Sequence, residues 1–378
     1  MEEENTHTSR KLNGDGLLHR QSLPDDLIIE ILLRHPVRSL LQFKHVCKSW
    51  KTLISDSQFA KRHLHRLTMD PSIINLQIIF ASEFGFGRIV SLPLKPLLEK
   101  PSEPIKAVEI GMEQYRFSIL GECNGLVCLL DITQGYVTLW NPSTRFKSKK
   151  SPSIGKWRVA NYGFGYDHVN DKYKVLLDVR PHGNRNNHNV RLYTFGENSW
   201  TTIQNFPCPP TGFTIIGKFV SGTLNWVVSR VGDYEQTTIL SFDIVKETYS
   251  EILLPQNQKH DGRRDSEPKL GVLDNCLCLC FDINTHLVLW LMKEYGVVES
   301  WTKLMMIPAE HLRKHVEWPI IFVIEPLFIF GNNIVLLRTN YKFLLYNLNN
   351  GKIDIPLIST SIRRSPHLYL ETLISPPL

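Results

Sequence analysis

One theme recurs through most of this chain at a nearly constant spacing. A β-rich apolar run ends in an aromatic residue, a polar turn follows, and a second aromatic residue often comes about eight residues later. The five aromatic residues that end these runs lie at spacings of 53, 49, 48 and 56 residues: Trp140, Tyr193, Phe242, Trp290 and Tyr346. Repetition at this period indicates one supersecondary unit that is built several times and packed against its copies.

The intervals between these runs predict the architecture. From about Ser72 onward, short apolar runs alternate with Gly, Asn, Asp and Pro, a pattern that is typical of strands and tight turns. A four-stranded propeller blade takes about 40–50 residues, so the roughly 310 residues of this part would hold about six blades. A flat β-sandwich would not explain one theme at this period, and an open solenoid is a weaker alternative. We therefore predict an all-β, propeller-like domain.

The residues before the repeat are predicted to form a small all-α module. Pro24 suits a first helical position, and the two acidic residues after it favour the first turn of a helix. Pro36 ends this first helix, because the residue before a proline is biased away from helical geometry. A second helix carries Val37 to Phe43, a third carries Val46 to Ile54, and a short last helix follows an N-cap at Asp56.

The first helix has more apolar surface than a small bundle needs. Apolar residues occupy most of its circumference from Leu27 to Leu33, whereas a helix of a small bundle requires one apolar face. A segment of about 45 residues is also near the lower size limit for a domain that folds alone. The surplus surface must be covered either by the rest of this chain, as a helical cap, or by a partner.

The segment from Leu23 to Leu64 resembles an F-box over nearly the whole motif. The matching residues are Leu23-Pro24, Asp26-Leu27, Ile31-Leu32, Pro36-Val37, Ser39-Leu40-Leu41, Phe43, Val46-Cys47-Lys48, Trp50, Leu53-Ile54 and Phe59. His35 departs from the family, which more often has leucine at this position, and we expect at most a small weakening of docking.

This resemblance implies docking on a Skp1-like adaptor, and through it on a cullin and a RING subunit. The residues that it places at the adaptor interface or in its immediate support are Leu23, Pro24, Leu27, Ile31, Pro36, Leu40, Val46, Cys47, Trp50 and Leu53. Trp50 is the best candidate for an anchor because large aromatic side chains dominate interface energetics, and a core role is an equal alternative. Basic residues outnumber acidic ones here, which suits an acidic partner or, equally, a solvated face.

Four segments of the repeat, LWNPSTR, GFGYDHVNDKYKV, LYTFGENSW and SGTLNWVV, resemble the F-box-associated domain of the large plant F-box family, which is related to kelch-like propellers. The likeness runs over about residues 110–350, and the double glycine of true kelch repeats is absent. The predicted organisation is a disordered tail (1–20), the F-box (21–66), a connecting segment with strands of the first blade (67–109) and the F-box-associated domain (110–370).

Nothing in the sequence predicts catalysis, a cofactor or a bound metal. The HExxH, GxSxG and Walker motifs are missing. Cys276, Cys278 and Cys280 alternate, which places them on one face of a strand, and we interpret them as buried strand residues rather than metal ligands. The His- and Asn-rich stretch 182–189 is predicted to be an exposed loop that could touch a ligand.

Charge and hydropathy bear on the partners and the compartment. The formal net charge of +6 is mild and does not predict nucleic-acid binding. No apolar stretch is long enough to span a bilayer, so no membrane association is predicted. The polar N-terminus is unlike a signal peptide, and the cysteine usage fits a reducing compartment, so we predict a soluble protein of the cytoplasm and/or nucleus.

We therefore interpret the chain as a non-catalytic substrate-recognition subunit of an SCF (Skp1–cullin–F-box) ubiquitin ligase, with an unidentified protein target held by propeller loops. One alternative is a regulatory interaction protein, bound to Skp1 or free, that has no role in ubiquitination. Another is a propeller enzyme or lectin with a central pocket, which tightly bound metal in the purified protein would indicate.

Overall fold

The computed structural model describes most of the chain. The described residues are 23–69, 76–81, 88–112, 117–155, 157–181, 188–210, 215–230, 233–255, 268–283, 285–315, 324–331, 333–339, 342–358 and 366–377. The tail predicted over 1–20 and residues 182–187 of the predicted exposed loop lie outside these ranges, so both remain predictions.

Four helices form the N-terminal module: α1 (Asp25–Leu32), α2 (Val37–Phe43), α3 (Lys48–Ser55) and α4 (Ser57–Met69). Pro24 and Pro36 occupy the N-cap positions of α1 and α2, immediately before the first helical residue. The Oδ1 atom of Asp56 accepts the backbone N–H groups of Gln58 at 2.9 Å and Phe59 at 3.0 Å, which confirms the predicted cap of the last helix.

The predicted start of the third helix is wrong by two residues. Cys47 has extended backbone angles, with φ −156° and ψ 166°, so it caps α3 instead of belonging to it. The thiol Sγ of Cys47 accepts the backbone N–H of Trp50 at 3.5 Å, in the manner of an N-cap side chain. Val46 therefore also lies before the helix, in the turn after α2.

Each of the four helices of the module buries an apolar side chain. Leu32, Leu40, Ile54 and Phe59 are almost fully buried there. A buried histidine, His63, joins α4 to the end of α1, because its Nε2 atom lies 2.9 Å from the carbonyl oxygen of His35.

Twenty-three strands, two further α-helices and a one-turn 3-10 helix (Val298–Ser300) are described after the module. The α-helices are α5 (Leu94–Glu99) and α6 (Ala309–Arg313). The strands are β1 (Leu76–Ala81), β2 (Arg88–Pro93), β3 (Val108–Met112), β4 (Phe117–Cys123), β5 (Leu126–Asp131), β6 (Val137–Trp140), β7 (Trp157–Asp167), β8 (Lys172–Pro181), β9 (Asn189–Thr194), β10 (Thr201–Thr202), β11 (Ile215–Val220), β12 (Thr223–Arg230), β13 (Asp233–Asp243), β14 (Thr248–Leu253), β15 (Lys269–Leu273), β16 (Cys276–Ile283), β17 (His286–Met292), β18 (Trp301–Pro308), β19 (Glu325–Phe330), β20 (Ile334–Arg338), β21 (Phe343–Asn347), β22 (Ile353–Asp354) and β23 (His367–Leu370).

These strands form a propeller-like domain of small antiparallel sheets. The sheet orders are β23-β1-β2-β3, β4-β5-β6, β15-β16-β17-β18 and β19-β20-β21-β22, together with an eight-stranded sheet, β10-β9-β8-β7-β11-β12-β13-β14. Two antiparallel halves make up the eight-stranded sheet, and they join only where β7 and β11 pair in parallel. The strands β23, β4, β7, β11, β15 and β19 contact one another in succession, so they form the inner wall of the domain.

The domain is closed by its two ends. The C-terminal strand β23 pairs antiparallel with β1, with Leu370 opposite Leu76 and His367 opposite Ile79. The first sheet is therefore completed by residues from the far end of the chain. This pairing satisfies a strand edge that would otherwise be open.

Tight turns connect the first and second strands of several sheets. Both residues have positive φ in the turn Asn124-Gly125 (54° and 75°) and in the turn Ser221-Gly222 (50° and 77°). Two-residue turns of this kind match the twist of the flanking strands. These two turns agree with the strand-and-turn pattern that the sequence predicts after about Ser72.

The recurring aromatic residues of the sequence occupy equivalent places. Trp140, Tyr193, Phe242, Trp290 and Tyr346 all lie on the third strand of their sheet or half-sheet. The repeated aromatic residue therefore marks the third strand in five sheets or half-sheets. The tight turns described above lie between the first and second strands. The polar turn after Trp140, Phe242 and Tyr346 begins with Asn or Asp, whose side chain accepts backbone N–H groups two and three residues on.

Candidate partner-binding site

The helical module is fixed to one end of the propeller-like domain. Leu33 and Val37 of the module belong to the same continuous buried cluster as Leu120 of β4 and Leu373 and Ile374 of the C-terminal segment. This shared core makes the module part of the folded body rather than an appended segment.

A polar contact supports the same junction at its rim. Lys61 of α4 donates to Asp171, in the turn between β7 and β8, with Nζ 2.6 Å from Oδ2. This hydrogen bond from Lys61 is the main reason that the pKa of Asp171 lies below its usual value. Both side chains are about half exposed, so the pair contributes little to stability.

The structure divides the apolar circumference of α1 between two environments. Leu32 is buried, and Ile28 and Ile29 pack against the shared core. Leu27 and Ile31 point the other way and remain 51% and 47% exposed. They are four residues apart and so share one face of the helix. The surplus apolar surface that the sequence predicts is therefore covered only on one side by this chain.

Two further apolar side chains are exposed on the module. Leu23, immediately before α1, is 55% exposed, and Val46, in the turn before α3, is 64% exposed. Single exposed apolar residues are common on protein surfaces. Leu27 and Ile31, four residues apart on α1, together with Leu23, which precedes the N-cap Pro24, form an exposed apolar set that we call the α1 stripe.

The ten residues predicted at the adaptor interface fall into three groups. The exposed members are Leu23, Pro24, Leu27, Ile31, Val46 and Cys47. The half-buried members are Pro36, Trp50 and Leu53, and the buried member is Leu40. Leu40 is 0% exposed, so it can only support the surface from within.

The position of Trp50 is compatible with both of its predicted roles, as an interface anchor and as a core residue. Its ring packs edge-on against Phe43 with centroids 5.7 Å apart, and Phe43 packs in the same manner against His35 at 5.2 Å. This chain of rings joins the end of α1 to α2 and α3. Trp50 is half-buried against the core, so it both supports the module and leaves part of its ring accessible.

Basic side chains surround this part of the module. Arg34, Arg38, Lys48 and Lys51 are exposed. The pKa of Lys44 is lowered, first by burial and then by the nearby charge of Lys51. Neighbouring cations of this kind favour an anionic partner.

Two of the three alternating cysteines of β16 lie in the core of the domain. Burial raises the pKa of the Cys278 and Cys280 thiols, and both side chains belong to the core between neighbouring sheets. Cys276 is on the same face of β16 and is half-buried. Within the described ranges, no group of three or more His, Cys, Asp or Glu side chains could hold a metal ion.

No described helix combines the length and the apolar composition needed to cross a membrane.

The fold and the exposed stripe define a class of protein in which a helical docking module is built onto one end of a propeller-like body. Family models identify that class. Residues 21–62 match the F-box domain, and residues 77–350 match the F-box associated beta propeller domain. The chain belongs to the family of F-box proteins with an F-box-associated propeller domain. Members of this family are generally substrate-recognition adaptors and not enzymes.

Curated relatives from Arabidopsis thaliana agree with this assignment. The chain is 30% identical to an F-box/kelch-repeat protein over 378 aligned residues, which cover 94% of this chain and 96% of the relative. It is 26% identical to the F-box protein CPR1, covering 93% of this chain and 87% of the relative. Both relatives match along nearly the whole chain, so the similarity includes the module and the propeller-like domain together.

Proposed function

We propose that this protein is the substrate-recognition subunit of an SCF ubiquitin ligase. The observation that carries the proposal is the α1 stripe, because it belongs to an F-box and remains exposed while the opposite side of α1 is buried in the protein. The protein performs no bond chemistry in this role. It holds a target near the ubiquitin-conjugating enzyme and so raises the effective concentration of the target's lysines.

The proposed contact with the Skp1-like adaptor uses the ten residues above in different ways. Leu23, Leu27, Ile31 and Val46 offer apolar area, and Trp50 supplies the anchor at its accessible edge. Complete burial of a leucine or isoleucine side chain contributes about 1.5–3 kcal/mol, so the half that remains exposed on Leu27 or Ile31 is worth about 1 kcal/mol each. The exposed basic side chains of the module, among them Arg34, Arg38 and Lys51, would speed association with an acidic adaptor.

The proposed propeller has six kelch-like blades. Dividing the eight-stranded sheet at the parallel pairing of β7 and β11 leaves six groups of three or four antiparallel strands. One Arabidopsis thaliana relative is an F-box/kelch-repeat protein, which supports the same architecture. With these blades, the F-box would occupy 21–66, the connecting segment and strands of the first blade 67–109, and the rest of the F-box-associated domain 110–370.

The end of the propeller that faces away from the module is the proposed position of the target. The turn between β7 and β8 and the segment after β23 lie at the module's end, since they contribute Asp171 and Leu373 to the junction. The second strands, such as β12, end at the other end of the domain, because β12 runs antiparallel to β11. A target bound there does not compete with the adaptor for space. We expect this assembly in the cytoplasm and/or nucleus, without nucleic acid, membrane or cofactor.

Co-purification tests the docking step. The full chain carrying Leu27→Asp should lose a co-expressed Skp1-like adaptor, because a carboxylate would be buried at the contact without a partner, at a loss of several kcal/mol. Leu357→Asp is the matched control, since Leu357 is 52% exposed on the propeller-like domain against 51% for Leu27. Equal retention of the adaptor by both variants would contradict the proposal.

Ubiquitination is tested separately, in two experiments. The ligase is reconstituted with cullin and RING subunits to test whether captured proteins are ubiquitinated, and the abundance of the same proteins is followed in cells. Proteins that accumulate in cells when the proteasome is inhibited, and only with an intact α1 stripe, would be targets. A chain that retains the adaptor but changes the abundance of no captured protein would instead be a regulator without a role in ubiquitination.

A further inference from the structure

Four charged or polar side chains meet in the middle of the propeller-like domain. Lys218 of β11 donates from Nζ to Oε1 of Glu325, the first residue of β19. Arg338, the last residue of β20, donates from Nη1 to the other oxygen of Glu325 at 3.2 Å. The charge of Glu325 also acts on His367, the first residue of β23.

The positions of these strands place the cluster on the axis of the domain. The sheets that contain β11 and β19 are separated by the sheet β15–β18, yet their side chains form an ion pair. The inner-wall strand β7 also contributes, because the carboxylate of Glu325 helps burial to raise the pKa of Tyr162. Glu325 of β19 interacts with residues on β7, β11 and β23. These strands do not all belong to one sheet, so their side chains can all reach Glu325 only at the centre of the ring of inner strands. We call Lys218, Glu325, Arg338 and His367 the axial cluster.

Glu325, Arg338 and His367 lie toward the end of the domain that faces away from the helical module, whereas Lys218 is the fourth of the six residues of β11. Glu325 and His367 begin their strands and Arg338 ends its strand. β23 continues from His367 toward Leu373, which belongs to the core shared with the module. The start of β23 is therefore the distal end, and the start of β19 lies at the same end because inner strands run in one direction, as β7 and β11 do.

The charges of the axial cluster do not cancel. Burial raises the pKa of Glu325, but Lys218 and Arg338 together overcome that effect and leave the pKa below its usual value, so the carboxylate is ionised. Burial and the charge of Lys218 lower the pKa of His367 to about 4, so this ring is neutral near pH 7. Two cations thus face one anion, and among the described residues of the cluster one positive charge is in excess.

Donors of the axial cluster remain available in a partly solvent-accessible site. An ammonium group has three N–H donors, and Lys218 directs one of them to Glu325. The side chains of Lys218 and Glu325 are 22% and 15% exposed, so solvent reaches them. The buried Nε2 atom of His367 makes no hydrogen bond, which is costly for a buried polar atom unless a ligand or water satisfies it.

We propose that the axial cluster binds an anionic group, a carboxylate or a phosphate, of the protein target. An entering anion would accept hydrogen bonds from the remaining N–H groups of Lys218 and from the ring N–H of neutral His367. Charge-assisted hydrogen bonds of this kind are strong. Glu325 would act as a resident anion that holds the two cations in place and competes with the ligand. This inference rests on the proposed function for the nature of the ligand, but its test does not.

Titration of the full chain with small anions tests the site. The probes are inorganic phosphate, N-acetyl-phosphoserine amide and N-acetyl-glutamate amide, with N-acetyl-lysine amide as the cationic control, measured by calorimetry at low ionic strength. Saturable binding of at least one anionic probe is expected, and the comparison of the phosphoserine and glutamate amides identifies which anion the site prefers. No saturable binding of any anion by the wild-type chain up to about 10 mM, which corresponds to an affinity too weak to aid recognition, would overturn the proposal.

Two substitutions separate ligand binding from a purely structural ion pair. Lys218→Met, which removes the ammonium group and keeps most of the unbranched apolar side chain, should weaken anion binding by about tenfold or more. Glu325→Gln should strengthen it by about threefold or more, because the competing carboxylate is removed. Lys246→Met is the control, since Lys246 is 77% exposed and lies outside the cluster. If both substitutions in the cluster lower the melting temperature and neither changes anion binding, the cluster is structural and the proposal is wrong.

The helical module provides an independent readout. All three variants should still retain the Skp1-like adaptor, because none of the substituted residues belongs to the module or to the core that it shares with the propeller-like domain. Should Lys218→Met fail to fold, Glu325→Gln and the wild-type titrations decide the matter. A variant that loses anion binding but retains the adaptor reports on the axial cluster alone. The effect of Leu27→Asp on adaptor binding tests only the proposed function.

Discussion

The side chain of Asn141 has two roles: it shapes its own turn, and it holds a distant part of the chain. Replacing Asn141 should distinguish the two roles. Asn141 is fully buried at the end of the motif strand β6. Its Oδ1 atom accepts the backbone N–H groups of Ser143 at 2.8 Å and Thr144 at 3.2 Å, which shapes the turn. Its Nδ2 atom donates to the carbonyl oxygens of Thr372 at 3.0 Å and Ile374 at 2.7 Å, which holds the C-terminal segment under the helical module.

Asn141→Asp keeps the acceptor and removes the donor. The two carbonyl groups of Thr372 and Ile374 would lose their partner in a buried site, and each such loss costs about 1–3 kcal/mol. A negative oxygen would also face two carbonyl oxygens, which is repulsive. We expect the free energy of unfolding to fall by about 3–5 kcal/mol, which is within the range of severe point substitutions.

The matched control is Asn347→Asp. The Oδ1 atom of Asn347 accepts the N–H groups of Asn349 and Asn350 in an equivalent turn, while its amide nitrogen has no hydrogen-bond partner among the described residues. This variant should change the free energy of unfolding by about 0.5 kcal/mol or less. Urea denaturation followed by tryptophan fluorescence measures both. A loss for Asn141→Asp no larger than that for Asn347→Asp would refute the assigned role of the amide nitrogen.

Three further predictions concern docking, pH and packing. Leu27→Ala should raise the dissociation constant for the Skp1-like adaptor about fivefold, from about 1 kcal/mol of lost burial, and Leu357→Ala should leave it unchanged in the same surface-binding assay. Glu122 has its pKa raised to about 7, chiefly by burial, so its contribution to stability is lost as pH rises from about 4.5 through 7. Glu122→Gln retains an acceptor for the N–H of Gly125 and should be more stable than the wild type at pH 8, by about 1–3 kcal/mol, with no such gain at pH 4 in urea denaturation. Gly217→Ala would place a Cβ 2.5 Å from the ring of Trp226 and should lower the free energy of unfolding by about 1–3 kcal/mol, and an unchanged urea midpoint would count against the packing described there.

Features that depend on neighbours in the chain could be predicted from the sequence. The cap at Asp56, the Asn-Gly turn and the alternation of the β16 cysteines all follow from interactions within a few residues. The start of α3 could not be placed in the same way, because Cys47 is a rare N-cap residue and Val46 continues the apolar pattern. The equal spacing of the aromatic residues predicted a repeated unit because each unit carries its own signals.

The placement of the candidate docking residues needed the tertiary structure. The sequence marks α1 as apolar on most sides and groups Leu40 with Leu27, but does not say which side faces inward. Packing of α1 and α2 against the shared core buries Leu32 and Leu40 and leaves Leu27 exposed.

The sequence by itself determined two kinds of periodicity, helical before about residue 70 and β-rich after it, and the family likeness that comes with them. Only the tertiary structure decided that β23 completes the sheet of β1, that Asn141 reaches carbonyl groups 231 and 233 residues away, and that Lys218 meets Glu325 across 107 residues. The physical reason is the ring closure of the inner strands. It brings side chains from separate sheets to one axis, and no local pattern in the chain records which of them will meet there.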